Sequence, residues 1–127
     1  MATSPASAAS AASSGTRVLL HPTLAEIRLE RVLHALSDPV RLRVVRALAE
    51  TRDGLPCSLI DLPVSKSTTT HHFRVLRQSG VVRQQYRGTA KINELRRDEL
   101  DWLFPGLLAG VLEAARQQEA RPAPAVR

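Results

Sequence analysis

A mainly α domain carrying one small β-hairpin is the fold class this sequence predicts. Three observations predict it. Apolar residues recur at helical spacing over Leu24–Leu36, Val40–Ala49 and Arg97–Gln118. A polar, basic segment is framed by Ser65 and Gly80, a helix cap and a helix stop. Two β-prone runs, Val81–Tyr86 and Thr89–Leu95, flank the turn signal Arg87-Gly88.

In the first helix, Leu24, Ile27, Val32, Leu33 and Leu36 form the apolar stripe, with Thr23 as the N-cap. Ser37-Asp38-Pro39 breaks it. Asp38 caps the second helix and Pro39 occupies its first turn, where a missing N–H costs nothing. Leu42, Val45, Leu48 and Ala49 face inward there, and Arg41, Arg43 and Arg46 are expected to be more exposed. Cys57–Leu62, bounded by Pro56 and Pro63, reads as a helix of one to two turns. The Ser65-capped helix runs to about Ser79, with Val64 placed to staple its first turn. Phe73 and Leu76 face the core with Thr69 and His72, while Ser67, Thr70, His71, Arg74 and Gln78 share the opposite side. The hairpin follows. The last helix carries Leu100, Leu103, Leu107, Leu108, Val111 and Leu112, and Pro105-Gly106 predicts a kink or restart within it. About five helices and a two-stranded wing are expected, in the order helix, helix, short helix, helix, hairpin, helix.

Charge gives this order a purpose. Lys66, Arg74, Arg77, Arg83, Arg87, Lys91, Arg96 and Arg97 face only one acid, Glu94, in the span 66–97, which leaves +7 in a chain whose total is +6. A phosphate backbone is the natural partner of such a unit, because each neutralised phosphate releases condensed counterions. A helix entering the major groove needs small polar side chains near its N-terminus so that the backbone can approach the bases. Ser65, Lys66, Ser67, Thr68, Thr69 and Thr70 supply them, and His71 and Arg74 follow as longer donors. The whole pattern is that of a winged helix-turn-helix. Candidate DNA contacts are Ser65, Lys66, Ser67, Thr68, Thr70, His71, Arg74 and Arg77 from the helix and Arg83, Gln85, Arg87 and Lys91 from the hairpin.

The runs HALSDPVRLRVVRALAE, STTTHHFRVLRQSGVV and YRGTAKINEL resemble the ArsR/SmtB family of bacterial transcriptional regulators over roughly Leu24–Leu112. The resemblance implies a homodimeric repressor with dimer contacts from the first and last helices, a palindromic operator, and release by an inducer. It places the recognition helix at Ser67–Arg77 and the wing at Val82–Ile92, with the family's S-x-H-L signature standing as Thr70-His71-His72-Phe73. Many relatives sense metal through a Cys-Val-Cys run or through Asp and His pairs on the last helix. Here Leu55-Pro56-Cys57-Ser58-Leu59 offers one thiol, and the last helix has Asp98, Glu99, Asp101 and Glu113 without histidine. No metal site and no cofactor is expected, and the inducer is unidentified.

Other readings are narrower. The single cysteine, Cys57, precludes an internal disulfide and is a candidate redox sensor, although a lone thiol in an apolar stretch is more often packing. His71 and His72 are adjacent and point in different directions on a helix, so they do not share a metal. Trp102 and Phe104 are read as core or dimer packing. No Gly-rich phosphate loop, nucleophile elbow or carboxylate pair points to an enzyme. A winged-helix module that binds protein instead of DNA is the alternative. No apolar run approaches the ~20 residues of a membrane span, and a cytoplasmic protein is expected. Residues 1–21 read as a disordered Ala/Ser-rich tail, 22–118 as the DNA-binding and dimerisation domain, and 119–127 as a flexible tail.

Overall fold

The computed structural model describes residues 19–122. Most of the two expected tails, 1–18 and 123–127, lies outside the described residues. The elements are α1 (Leu29–Leu36), α2 (Pro39–Ala49), β1 (Leu55–Pro56), α3 (Lys66–Gln78), β2 (Val82–Arg87), β3 (Ala90–Leu95), α4 (Arg97–Leu103) and α5 (Leu107–Ala120), with single 3₁₀ turns at Leu24–Glu26 and Cys57–Leu59. The sheet has three strands in the order β1-β3-β2, all antiparallel. Among the described residues no helix is long and apolar enough to cross a membrane.

Local chemistry sets the boundaries. Asp38 caps α2 by accepting from the N–H groups of Val40 and Arg41, and Pro39 opens the helix. Ser65 caps α3 by accepting from Thr68 N–H at 3.2 Å. Gly80 follows the last residues of α3 at φ +89°, a left-handed position, and Val81 N–H then closes on Leu76 carbonyl. The hairpin turns at Gly88 (φ +66°) with no positive φ at Thr89, the signature of a II′ turn.

Three expectations change. The single helix over Leu24–Leu36 is instead a 3₁₀ turn and a separate α1. Glu26 reaches back to Thr23 N–H at 2.9 Å, and Ile27 and Arg28 are extended. That extension drops Ile27 into the core, against Gly80. The helix expected over Cys57–Leu62 is only a 3₁₀ turn. Pro63 disfavours helical backbone at Leu62, and the preceding Leu55 and Pro56 pair with Asn93 and Ile92. The same pairing makes the wing sheet three-stranded rather than two-stranded. At Pro105-Gly106 the chain restarts, as expected: α4 ends before Phe104 and α5 begins from Gly106 at φ +85°.

The core joins α1, α2, α3, the strands and the last two helices. Val32, Val44, Val45, Leu48, Leu76, Val81 and Val82 are sealed at its centre, with Phe73, Leu95, Leu100 and Leu108 around them. Trp102, expected to pack, is 73% exposed in the single chain, whereas Phe104 packs against the core.

A Cβ placed on Gly80 would stand 2.6 Å from Ile27 Cγ1, and its φ is unfavourable to any L side chain. Gly80→Ala is therefore expected to lower stability by about 1–3 kcal/mol, strain and clash together. Urea unfolding checks this, and a midpoint within error of wild type would contradict the packing described.

Candidate nucleic-acid interface

Helix α3 presents two faces. Phe73, Leu76 and His72 are buried, whereas Ser67, Thr70, His71, Arg74 and Gln78 are exposed, as the spacing predicts. Thr70 Oγ1 donates back to Lys66 carbonyl, and Ser65, Ser67 and Thr68 hydroxyls bond among themselves. These side chains are thereby short and ordered at the helix N-terminus, where partial positive charge favours phosphate.

Strand alternation divides the wing. Opposed residues share a face, so Gln84 with Asn93 and Tyr86 with Lys91 look toward α3. Arg83 with Glu94 and Gln85 with Ile92 look away, with Arg87 and Ala90 at the tip. A cleft of about 590 Å³ lies between α3 and the wing. Lys66, Thr70, Arg74, Arg77 and Lys91 border it, and Phe73 and Cys57 contribute to its wall.

The cations of this unit fall into two groups. Arg96 is buried, holds Glu99 through two hydrogen bonds of 2.7 and 2.9 Å, and donates to Pro22 carbonyl. Arg97 donates to the carbonyls of Leu48, Ala49 and Thr51 and so closes the C-terminal end of α2. Arg83 pairs with Glu99 at 3.0 Å. Arg77 donates to Gln84 Oε1 at 2.6 Å, and burial pushes its guanidinium down from the ordinary range. By contrast, the side chains of Lys66, Arg74 and Arg87 form no hydrogen bond or ion pair among the described residues, and Lys91 lies 5.6 Å over the Tyr86 ring. The candidates Lys66, Ser67, Thr70, His71, Arg74 and Lys91 therefore come together, with Arg87 at the hairpin tip. Ser65 and Thr68 sit at the cap, Arg77 lies deeper in the cleft, and Arg83 and Gln85 are on the far face, where Gln85 donates to Glu94.

Behind the cleft lies a buried amide pair. Gln84 is 1% exposed and Asn93 0%. Gln84 Nε2 donates to Asn93 Oδ1 at 2.6 Å, and Asn93 Nδ2 donates to Leu55 carbonyl and to Cys57 Sγ. The thiol, half-buried, is thus an acceptor at the end of a chain that starts on Arg77. Among the described residues no cluster of three or more His, Cys, Asp or Glu could hold a metal.

Arg41 corrects an expectation. It is 6% exposed rather than turned outward. Its Nε and Nη2 donate to Ala35 and His34 carbonyls at the end of α1, and its Nη1 lies 3.0 Å from His72 Nδ1. The spacing 41, 44, 45, 48 places it on the buried stripe, and that signal was available in the sequence. A guanidinium only donates, so His72 Nδ1 accepts and the ring proton sits on Nε2, 3.9 Å from Asp38. Burial is the largest cause holding His72 below its ordinary value of 6.5; Asp38 opposes it and Arg41 and His71 add to it. For Asp38, partial burial works upward and is outweighed by the N–H groups of Arg41 and Val40, so its carboxyl ends below 3.8.

A folded-state pKa below the unfolded value means that the unfolded chain binds more protons. The His72 contribution is then complete above about pH 6.5 and declines as pH falls below it. Denaturant melts from pH 8 to pH 5 are expected to show stability falling through that range. His72→Asn, which offers Arg41 an acceptor that does not titrate, is expected to flatten the fall. An equally steep fall in the variant would remove His72 as its source.

A helix-turn-helix domain profile matches residues 36–85. The Bacillus subtilis protein YceK, described as an uncharacterized HTH-type transcriptional regulator, is 30% identical over 80 residues, which cover 61% of this chain and 80% of YceK. The crystal structure of the transcriptional repressor BigR from Xylella fastidiosa superposes with a TM-score of 0.58 at 21% identity, covering 74% of this chain and 88% of that one. The homodimeric winged helix-turn-helix domain of Mb0332 from Mycobacterium bovis, described as a possible ArsR-family regulator, gives 0.55 at 19% identity, covering 76% and 87%.

Proposed function

This chain belongs to the HTH-type transcriptional regulators and has the winged fold seen in ArsR-family structures, and from that premise we propose that it is a homodimeric, sequence-specific repressor of a palindromic operator, released by an inducer. Helix α3 reads the major groove of each half-site, and the wing follows the adjacent backbone. The sorting of cations is the observation that carries this reading. Among the described residues the side chains of Lys66, Arg74 and Arg87 form no hydrogen bond or ion pair, and Lys66, Arg74 and Lys91 border one cleft beside Ser67, Thr70 and His71. Arg83, Arg96 and Arg97 are spent on Glu99 and on backbone carbonyls.

The roles differ by reach. Arg74, one helical turn beyond Thr70, is suited to a base edge, with His71 beside it. Lys66, Arg87 and Lys91 are suited to phosphates, which fix position without carrying sequence. Repression and an operator fit the description of BigR as a transcriptional repressor.

Fluorescence anisotropy with selected duplexes, titrated with salt, tests the assignment. Arg74→Ala is expected to weaken specific binding by about 1–3 kcal/mol and to relax one base position. Lys66→Ala is expected to weaken all sequences alike and to lower the log–log salt slope by about 1. A flat salt response of the wild-type protein would contradict the proposal.

Dimerisation rests on uncovered apolar surface. Leu29 and Leu33 on α1 are 43% and 45% exposed, and Leu107, Val111 and Leu112 on α5 are only half-buried in the single chain. The homodimeric state of Mb0332 supports dimerisation. Leu33→Asp is expected to shift sedimentation from dimer to monomer, and an unchanged dimer would place the interface elsewhere.

A further inference from the structure

The short segment before the first 3₁₀ turn, residues 19–22, lies across the outer edge of β2. Among the described residues that edge has no neighbouring strand, because β2 is terminal in the order β1-β3-β2. An open edge presents unpaired N–H and C=O groups. Here Gln84 N–H donates to His21 Nε2 at 3.0 Å. The backbone of Leu19 bonds the same imidazole, and Arg96 Nη1 donates to Pro22 carbonyl at 2.9 Å. Leu19 itself borders the cleft between α3 and the wing. The strap is thus tied to the domain by two hydrogen bonds, and the one at His21 falls on the residue whose side chain joins the wing to α3 through Arg77.

We propose that His21 is a positioning residue for the wing: its neutral ring clamps the Gln84 backbone, so that the Gln84 side chain is held between Arg77 and Asn93 and the wing keeps a fixed angle to the recognition helix.

The chemistry permits one protonation state. Nε2 accepts from Gln84 N–H, so it carries no proton in the clamped form. The charged groups around the ring are Arg77 from α3, Arg83 from β2 and Arg96 at the start of α4, the last two sharing Glu99. A protonated ring would lose its acceptor and add a cation to three others. Burial first, then these cations, hold His21 below 6.5 against the Leu19 bond. The clamp is then complete above about pH 6.5 and opens as pH falls.

Two variants separate the clamp from mere packing. His21→Gln offers an amide oxygen and does not titrate; His21→Ala offers nothing. Hydrogen exchange is read at the Gln84 amide in the free protein from pH 7.5 to 5, corrected for intrinsic exchange. Wild type is expected to lose at least about tenfold of its protection over this range, His21→Gln to keep it, and His21→Ala to lack it throughout. The binding arm rests on the DNA-contact reading above and uses a 30-bp mixed-sequence duplex at pH 7.5. His21→Ala is expected to raise Kd by about three- to tenfold, with His21→Gln within about twofold of wild type. Equal Gln84 protection in wild type and His21→Ala would overturn the clamp. So would a binding loss in His21→Gln as large as that in His21→Ala. If wild type binds no duplex while Gln84 protection behaves as described, the DNA reading fails and the clamp stands.

Discussion

The buried amide pair of Gln84 and Asn93 is the constraint on which the arrangement of this molecule depends. Two primary amides are withdrawn from water between a helix and a sheet, and a buried polar group without a partner costs about 1–3 kcal/mol. Their satisfaction is therefore directional. Gln84 must meet Arg77 with its oxygen and Asn93 with its nitrogen, and Asn93 must meet Leu55 and Cys57. An apolar contact in the same place would tolerate sliding. This network tolerates one register of β2 against β3, one approach of α3 and one position for the two-residue strand β1. The wing is thereby aimed by hydrogen bonds rather than by shape alone.

The second organising feature is how the chain distributes its cations. Net charge alone would assign the whole basic span to a polyanion. The fold divides it. Arginine is used where a planar fork can serve several carbonyls or a carboxylate at once, as Arg41, Arg96 and Arg97 do. These three tie α1 to α2, the N-terminal strap to α4, and the end of α2 to the start of α4. The cations whose side chains form no hydrogen bond or ion pair among the described residues, Lys66, Arg74, Arg87 and Lys91, lie on α3 and the hairpin.

Much of this was legible in the sequence, for physical reasons. The faces of α3 follow from 3.6-residue spacing, its ends from Ser65 and Gly80, and the hairpin from Arg87-Gly88. The missed features are those where tertiary bonding overrides local pattern. Thr23 and Glu26 close a turn that the Leu24–Leu36 stripe alone does not reveal. The pairing of Leu55 and Pro56 with β3 is a non-local contact that no local signal announces. Arg41 and Gln84 were readable from periodicity as inward-facing, yet their polarity argued outward, and only a partner such as His72 or Asn93 reconciles the two. His21 required knowing that β2 is an edge.

Chemical-shift mapping on addition of a duplex tests the central claim most directly, since it reports which residues meet the nucleic acid. The account predicts perturbations at Ser67, Thr70, His71 and Arg74 on α3 and at Arg87 and Lys91 on the hairpin, with Arg96, Arg97 and Glu99 unchanged. Perturbations centred on Arg83, Arg96 and Arg97, with α3 silent, would contradict it.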